Sequence, residues 1–506
     1  MAHFRDSQPV IVHCDTDVIR GSVGSGELFS RPTTSLKARY AVPRASSSKA
    51  VETNGDVSMG EEEPTHASEG TSRHGWVVGE ELDTAEKEDG WEEKYDVRWP
   101  FRPSKDAEDW DGREFVLSHF YSLLGLKVAN NSSPLLFIPP PTPPTLPLST
   151  QALYTQLAFE GLNVPIFSIL PSPLASLFAL GATTGIVIHV GRHESSIFVI
   201  TDSVVRWECS TTALVGEADC EEWFERLLMR DEALAKELRL ATEKETLDEE
   251  EKRKLVKEIA SVVWNECTGD DIEVPAAKVE SGAVVISTLG TEKEDDAFDV
   301  AKKLVGDNAP PPAAHSHKSK KQQAQAQAAA VKSAADAAAA DTIVINIPSL
   351  PEKEISLGPV RHRLCDPLLF GKTPGGDTVW EAVGRAVENA SLSVNERLGL
   401  WEGVGVVGEL ARIKSFAPAL VTYLSPFLLS SPDLPSDCQP SKIRLLSIPE
   451  YFANYKNATT ELAPFLGASL VSKVAFSDLT GKHCITKVDY NAKGPAAIYT
   501  VTNEDR

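Results

Sequence analysis

Seven cysteines in 506 residues (Cys14, Cys209, Cys220, Cys267, Cys365, Cys438 and Cys484) stand far apart, odd in number and without any C-x-x-C spacing. This excludes a disulfide framework and a zinc site built on paired thiolates, and it predicts a reducing compartment. Positive charge is in deficit: 50 lysines and arginines face 73 aspartates and glutamates, for a formal net charge of -23. Sequence-independent DNA binding needs cationic side chains to displace phosphate counterions, so direct DNA binding is not expected. Long apolar runs are missing as well. The start, MAHFRDSQPVIV, lacks the apolar stretch of a signal peptide, and the most apolar later segment, FAPALVTYLSPFLL from Phe416, is too short and Pro-interrupted to span a bilayer. No membrane association is expected, and the Asn-x-Ser/Thr triplets at Asn130, Asn131 and Asn457 are read as chance matches.

What is present is a core: 42% of the chain is hydrophobic, enough for a largely globular protein of several domains or of two large lobes with insertions. Val10–His13 reads as a buried strand and Val18–Val23 as a second, with Cys14-Asp15-Thr16-Asp17 as a polar turn between them. Residues 44–73 shift to Ser, Glu, Gly and Thr around EEEPTHASEG and read as a disordered insertion; 308–341, rich in Pro, Gln and Ala, read as a low-complexity one. Between the two insertions the periodicity predicts a helix over GREFVLSHFYSLLGL, with Phe115, Val116, Phe120, Leu123 and Leu124 as its apolar stripe. A charged helical region runs from Asp231 to Trp264, its second half striped by Leu255, Val256, Ile259, Val262 and Val263. No short tandem repeat is visible, but strand pairs and helices recur once in each half, which predicts two α/β lobes.

The organising stretch is Leu177–Asp202: a helix end, a Gly-containing link and the strands GIVIHV and SSIFVITD, joined by Gly191-Arg192-His193-Glu194. Its Leu180-Gly181-Ala182-Thr183-Thr184-Gly185-Ile186-Val187 is similar to the Ser-Gly-x-Thr-Thr-Gly-Ile-Val of actins and actin-related proteins. Phe465–Pro495 resembles that family's C-terminal signature, with Phe465-Leu466-Gly467-Ala468-Ser469 at a helix start and Ile485, Lys487, Tyr490, Gly494 and Pro495 at the close. WDGREFVLSHFYSLL and SLGPVRHRLCDPLLF follow the family in place and pattern. The resemblance thus covers nearly the whole chain outside the insertions. It implies an α/β actin-like fold: two ribonuclease-H-like lobes with a central cleft, plus the insertions. Residues 1–179 would form the first lobe, 180–445 the second, and 446–506 a segment returning to the first.

The same resemblance implies a nucleotide pocket, and the residues there depart from it. Family sites use backbone N–H groups of two Gly-containing hairpins to cradle phosphates, with an acidic residue on each hairpin near the metal. In the first hairpin Asp-x-Gly-Ser-Gly falls on His13-Cys14-Asp15-Thr16-Asp17, so the acid becomes histidine and both glycines become aspartates; Arg20 stands where the family has a phosphate-facing lysine. In the second, Asp-Ser-Gly-Asp-Gly falls on His189-Val190-Gly191-Arg192-His193. The water-activating Gln and His become Ser172 and Ser196, the Lys-Glu pair becomes Ala260 and Ser261, and Gly-Gly-Thr-Thr becomes Gly408-Glu409-Leu410-Ala411. Added carboxylates repel polyphosphate, and side chains in place of glycine block close backbone approach. A pseudo-ATPase with a vestigial pocket is therefore expected, with no catalytic residue, no metal and no bound ATP.

In the family an apolar cleft takes up partner helices, and helix-in-groove recognition needs such a trough. Carried over, its walls would be Phe178, Gly181 and Thr183 on one side and Leu466, Leu470, Val471 and Val474 on the C-terminal helix. Within the family, SIPEYFANYK and YNAKGPAAIYTV look most like fungal members built into SWI/SNF and RSC chromatin-remodelling complexes. That likeness implies a nuclear subunit that pairs with a second actin-related protein and grips the helicase-SANT-associated helix of the motor subunit, so regulating transcription. The alternatives are a working ATPase of the actin, sugar-kinase and heat-shock superfamily, which retained hairpin glycines and acids would have supported, and a filament-forming actin, which the insertion at 44–73 disfavours. Gly371-Lys372-Thr373 is not a P-loop ending, because Asp366 stands where the first glycine is required.

Overall fold

The computed structural model of the chain describes residues 8–24, 29–44, 73, 75–103, 108–141, 146–243, 248–266, 284–286, 342–373, 375–413, 416–428, 440, 442–455, 460–476 and 483–503. The insertions expected at 44–73, apart from its two end residues, and at 308–341 lie outside the described residues. The chain divides into two compact units: Met1–Thr142, Leu146–Ser172 and Ala468–Arg506 form the first, Pro143–Thr145 and Pro173–Gly467 the second.

The first unit is built on β1 (Val10–Cys14), β2 (Val18–Val23), β3 (Thr34–Lys37), β4 (Leu135–Ile138) and β5 (Ile166–Ile169). Their order is β3-β2-β1-β4-β5, the first three antiparallel and the last two parallel to β1, with Ile485–Thr486 added antiparallel at the β5 edge. β1 and β4 are buried at every residue, which is why β4 reads as a continuous apolar run and β1 as one broken only by His13. Against this sheet lies helix Trp110–Leu123. Its buried stripe is Arg113, Val116, Leu117, Phe120 and Tyr121, whereas Leu123 is 47% exposed, so the stripe expected through Leu123 turns instead through Leu117 and Tyr121. A smaller sheet, Val77–Val78, Tyr40–Pro43 and Tyr95–Arg98, completes this unit.

The second unit repeats the plan with β6 (Gly185–Val190), β7 (Ser195–Thr201), β8 (Thr211–Ala213), β9 (Val404–Gly408) and β10 (Ile443–Leu445). The order runs β7-β6-β9-β10 and then Val284–Ile286, with β8 and Val204–Val205 both antiparallel to β7, β7 antiparallel to β6, and the last three strands parallel to β6. β6 and β7 are buried throughout. The charged region after Asp231 forms two helices, Glu232–Thr242 and Glu249–Glu266; in the second, Leu255, Val256, Ile259 and Val263 enter the core as their spacing predicts.

The C-terminal signature has a physical role in the first unit. Tyr490 donates its hydroxyl to Glu160 at 2.5 Å and stacks on Phe159 at 4.5 Å, while Lys487 bonds the Asn163 side chain. Gly494 takes φ +63°, which favours glycine. The unit boundaries fall at 172/173 and 467/468, where the sequence reading divides the chain at 179/180 and 445/446. The residues in between pack on the second unit: Thr460 Oγ1 donates to Val406 O at 2.5 Å, and Gly467 lies against the backbone of Ala175. A Cβ on Gly467 would sit 1.8 Å from Ala175 O, a clash that no rotamer relieves. Gly467→Ala should therefore cost about 2–3 kcal/mol or prevent folding, read as a lowered urea midpoint.

Candidate functional site

β1 and β2 turn at Asp15-Thr16-Asp17, with His13 opposite Arg20 and Cys14 opposite Ile19. The turn uses its own acceptors. Asp15 N–H donates to Val18 O at 2.9 Å, Thr16 N–H donates to Asp15 Oδ1 at 2.7 Å, and Asp17 O accepts Ala38 N–H at 2.8 Å. The Asp15 carboxylate thus takes an amide that a glycine in its place would leave for an incoming anion. Asp17 is held by Arg102, whose Nε lies 2.5 Å from Asp17 Oδ1. His13 is buried among the strands. Cys14 is fully buried, and that burial pushes its thiol well above the ordinary value, so it does not supply a thiolate.

The corresponding turn of the second unit, Gly191 to Glu194, is closed by Gly191 N–H donating to Glu194 O at 3.0 Å. Helix Glu217–Arg230 begins directly against it. A helix N-terminus presents N–H groups suited to an anion. Here Glu217 N–H donates to Gly191 O at 3.0 Å, Ala218 N–H to Arg192 O at 2.8 Å, and Gly216 N–H to Asp219 Oδ2 at 2.9 Å. The approach is so close that a Cβ on Gly216 would sit 2.5 Å from Gly191 O. Arg192 is joined to Glu221 by two parallel bonds of 2.6 Å, a fork geometry that fixes both side chains. At the end of β9, Gly408 pairs with Val190, and the following amide, Glu409 N–H, donates to Glu217 Oε1 at 3.0 Å. His189, buried within β6, pairs with Ser196 across the hairpin and with Val407 on β9.

Within each unit the structure therefore brings together the residues that the sequence singles out: His13, Asp15, Asp17 and Arg20 on one hairpin, and His189, Gly191, Arg192 and Gly408 at the other. Sequence reading misses their partners Arg102, Glu217 and Glu221. The separations of 85 residues for Asp17 and Arg102 and 29 for Arg192 and Glu221 leave no local pattern to find them. Lys372 pairs with Asp219 at 2.9 Å. Among the described residues no group of three or more His, Cys, Asp or Glu is arranged to hold a metal.

The expected helix-binding residues divide by exposure. On helix Ala463–Ala475, Leu466 is completely buried, so it is a core residue and not a wall open to a partner. Leu470 and Val471 are half-buried, and Val474 is 66% exposed. On the second unit Phe178 is half-buried, while Gly181, at φ +78°, and Thr183 are exposed; Thr183 O accepts Ser203 N–H at 2.7 Å.

Comparisons with known proteins agree with this architecture. The actin family model matches residues 30–263. The chain is 25% identical over 545 aligned residues to the Schizosaccharomyces pombe protein named SWI/SNF and RSC complexes subunit arp9, covering 99% of this chain and all of that one. It is 28% identical over 194 residues to an actin-like protein of Neurospora crassa, 37% of this chain and 46% of that one. Over 97 residues, 19% of this chain and 20% of the other, it is 32% identical to actin-related protein 7 of Saccharomyces cerevisiae.

The geometry of the second unit makes Gly408 a test of the close packing around the hairpin. It sits at φ +114°, and a Cβ would lie 2.2 Å from Val190 O. Gly408→Ala is expected to destabilise by at least about 2 kcal/mol in denaturant unfolding, whereas a substitution at exposed His193 should stay within about 0.5 kcal/mol.

Proposed function

The chain is an actin-related protein with an actin-like fold, and we propose that it serves as a non-catalytic structural subunit of an ATP-dependent chromatin-remodelling complex of SWI/SNF or RSC type. The observation that carries this reading is the similarity to the fission-yeast subunit over essentially the full length of both chains. A shared domain alone would say little, since one fold hosts many functions. In that role the protein resides in the nucleus, pairs with a second actin-related protein and braces the helicase-SANT-associated helix of the motor subunit, so that its influence on transcription passes through the motor.

The absence of catalysis is part of the same proposal, and the hairpin chemistry supports it. Phosphoryl transfer on this kind of site depends on positioned amide donors and a metal-holding carboxylate. Here the amides of Asp15, Thr16, Glu217, Ala218 and Glu409 donate to oxygens of the chain itself. The positions matching the family's two acids hold His13 and His189, and those matching its water-orienting pair hold Ser172 and Ser196. No cofactor is required by this reading.

For the motor helix, the face of the C-terminal helix carrying Leu470, Val471 and Val474 is the proposed contact. Val474 is exposed, so Val474→Glu should leave the fold within about 0.5 kcal/mol of the parent. With the partner subunit co-expressed, the same change should weaken capture by the motor helix at least tenfold, since a charge would be buried against an apolar helix. A folded Val474→Glu protein that is captured as well as the parent would remove this face from the proposal.

A further inference from the structure

We infer that both hairpin tips are tethered by arginine–carboxylate latches, each internal to its own unit, and that these hold the tips in place with no ligand. In the first unit the latch starts at Asp17, on the turn between β1 and β2, and runs to Arg102 at 2.5 Å. The Arg102 guanidinium lies over the Trp99 ring, 3.8 Å from its centroid. The same ring has Arg39 at 5.7 Å, and Arg39 in turn grips Asp83 at 2.6 Å together with Glu86. One indole therefore links the hairpin tip to helix Glu80–Ala85, which follows one strand of the small sheet. Arg39 keeps only 11% of its side chain exposed.

In the second unit the polarity is reversed: the arginine is on the hairpin, and Arg192 reaches Glu221, one turn into helix Glu217–Arg230. Isolated ion pairs on open surface contribute little, but these differ in four respects. Their side chains are about two-thirds to four-fifths covered, at 29% and 22% exposure in one pair and 34% and 32% in the other. One is bidentate, which restricts both partners to a single geometry. The other is stacked on an aromatic face, where a partly desolvated cation gains further attraction. Each also bridges elements distant in sequence, so breaking it frees a turn rather than a side chain. Since each latch is satisfied within its own unit, neither depends on the other.

The test is hydrogen exchange followed by mass spectrometry on the full chain without nucleotide. Arg102→Ala should speed exchange of amides at 15–18 and 77–98 roughly fivefold or more, and Arg192→Ala should do the same at 191–194 and 217–221. Each should leave the other unit unchanged, and Lys353→Ala, which removes an exposed pair with Glu243, should alter neither region. Adding Glu221→Ala to Arg192→Ala should change nothing more. If Arg192→Ala does not fold, Glu221→Gln keeps the shape, removes the charge and must give the same local acceleration. Unchanged exchange, or uniform acceleration of both units, overturns the proposal. Because no nucleotide is present, this outcome is separate from whether the protein binds one, and the latches can fail while the non-catalytic reading stands.

Discussion

A backbone amide at the turn of a buried hairpin must find an acceptor, because leaving it unsatisfied costs about 1–3 kcal/mol. That constraint acts on both sheets of this protein, whose central strands are fully buried and run into half-buried turns. A nucleotide-binding relative of this fold can delay the answer by letting a bound phosphate accept the donors. This chain answers it internally. Asp15 bends its carboxylate back onto Thr16, and the carbonyls of Gly191 and Arg192 receive the first amides of helix Glu217–Arg230. The close contacts of Gly216 with Gly191 and of Gly408 with Val190 follow from the same requirement, since only glycine lets the chain supply its own acceptors at that range.

Much of the fold was legible from local pattern. β1, β4, β6 and β7 are buried along their whole length, so mainly apolar runs identify them without reference to neighbours, with His13, His189 and the Ser195-Ser196 pair as the polar exceptions. The recurrence of a hairpin followed by parallel strands is also visible as order along the chain, and the two sheets share a five-strand order to which each adds short edge strands of its own. What local pattern could not give was the choice of face on helix Trp110–Leu123. There the core takes Leu117 and Tyr121 and leaves Leu123 half outside, because the sheet rather than the helix decides which side is covered. The unit boundaries escaped for a similar reason: Gly467 against Ala175 is a contact between residues almost three hundred apart.

The candidate site was legible as substitutions and illegible as partnerships. Comparing His13, Asp15, Asp17, His189 and Arg192 with a family pattern identifies what changed, but the replacements become intelligible only with Arg102 and Glu221 in view. Two carboxylates on the first hairpin read, from sequence, as charges set to repel phosphate. In the structure one caps a neighbouring amide and the other meets a guanidinium, so both also stabilise the turn that carries them. Leu466 makes the converse point. Its spacing with Leu470 and Val474 marks one helix face, yet that face runs from complete burial to 66% exposure within two turns.

On the proposed reading the protein works without nucleotide. Calorimetric titration of the purified full chain with ATP, in magnesium and up to millimolar concentration, tests it most directly. No saturable heat is expected. Saturable binding in the micromolar range would contradict that reading, because the hairpin amides would then have to exchange their internal acceptors for phosphate oxygens.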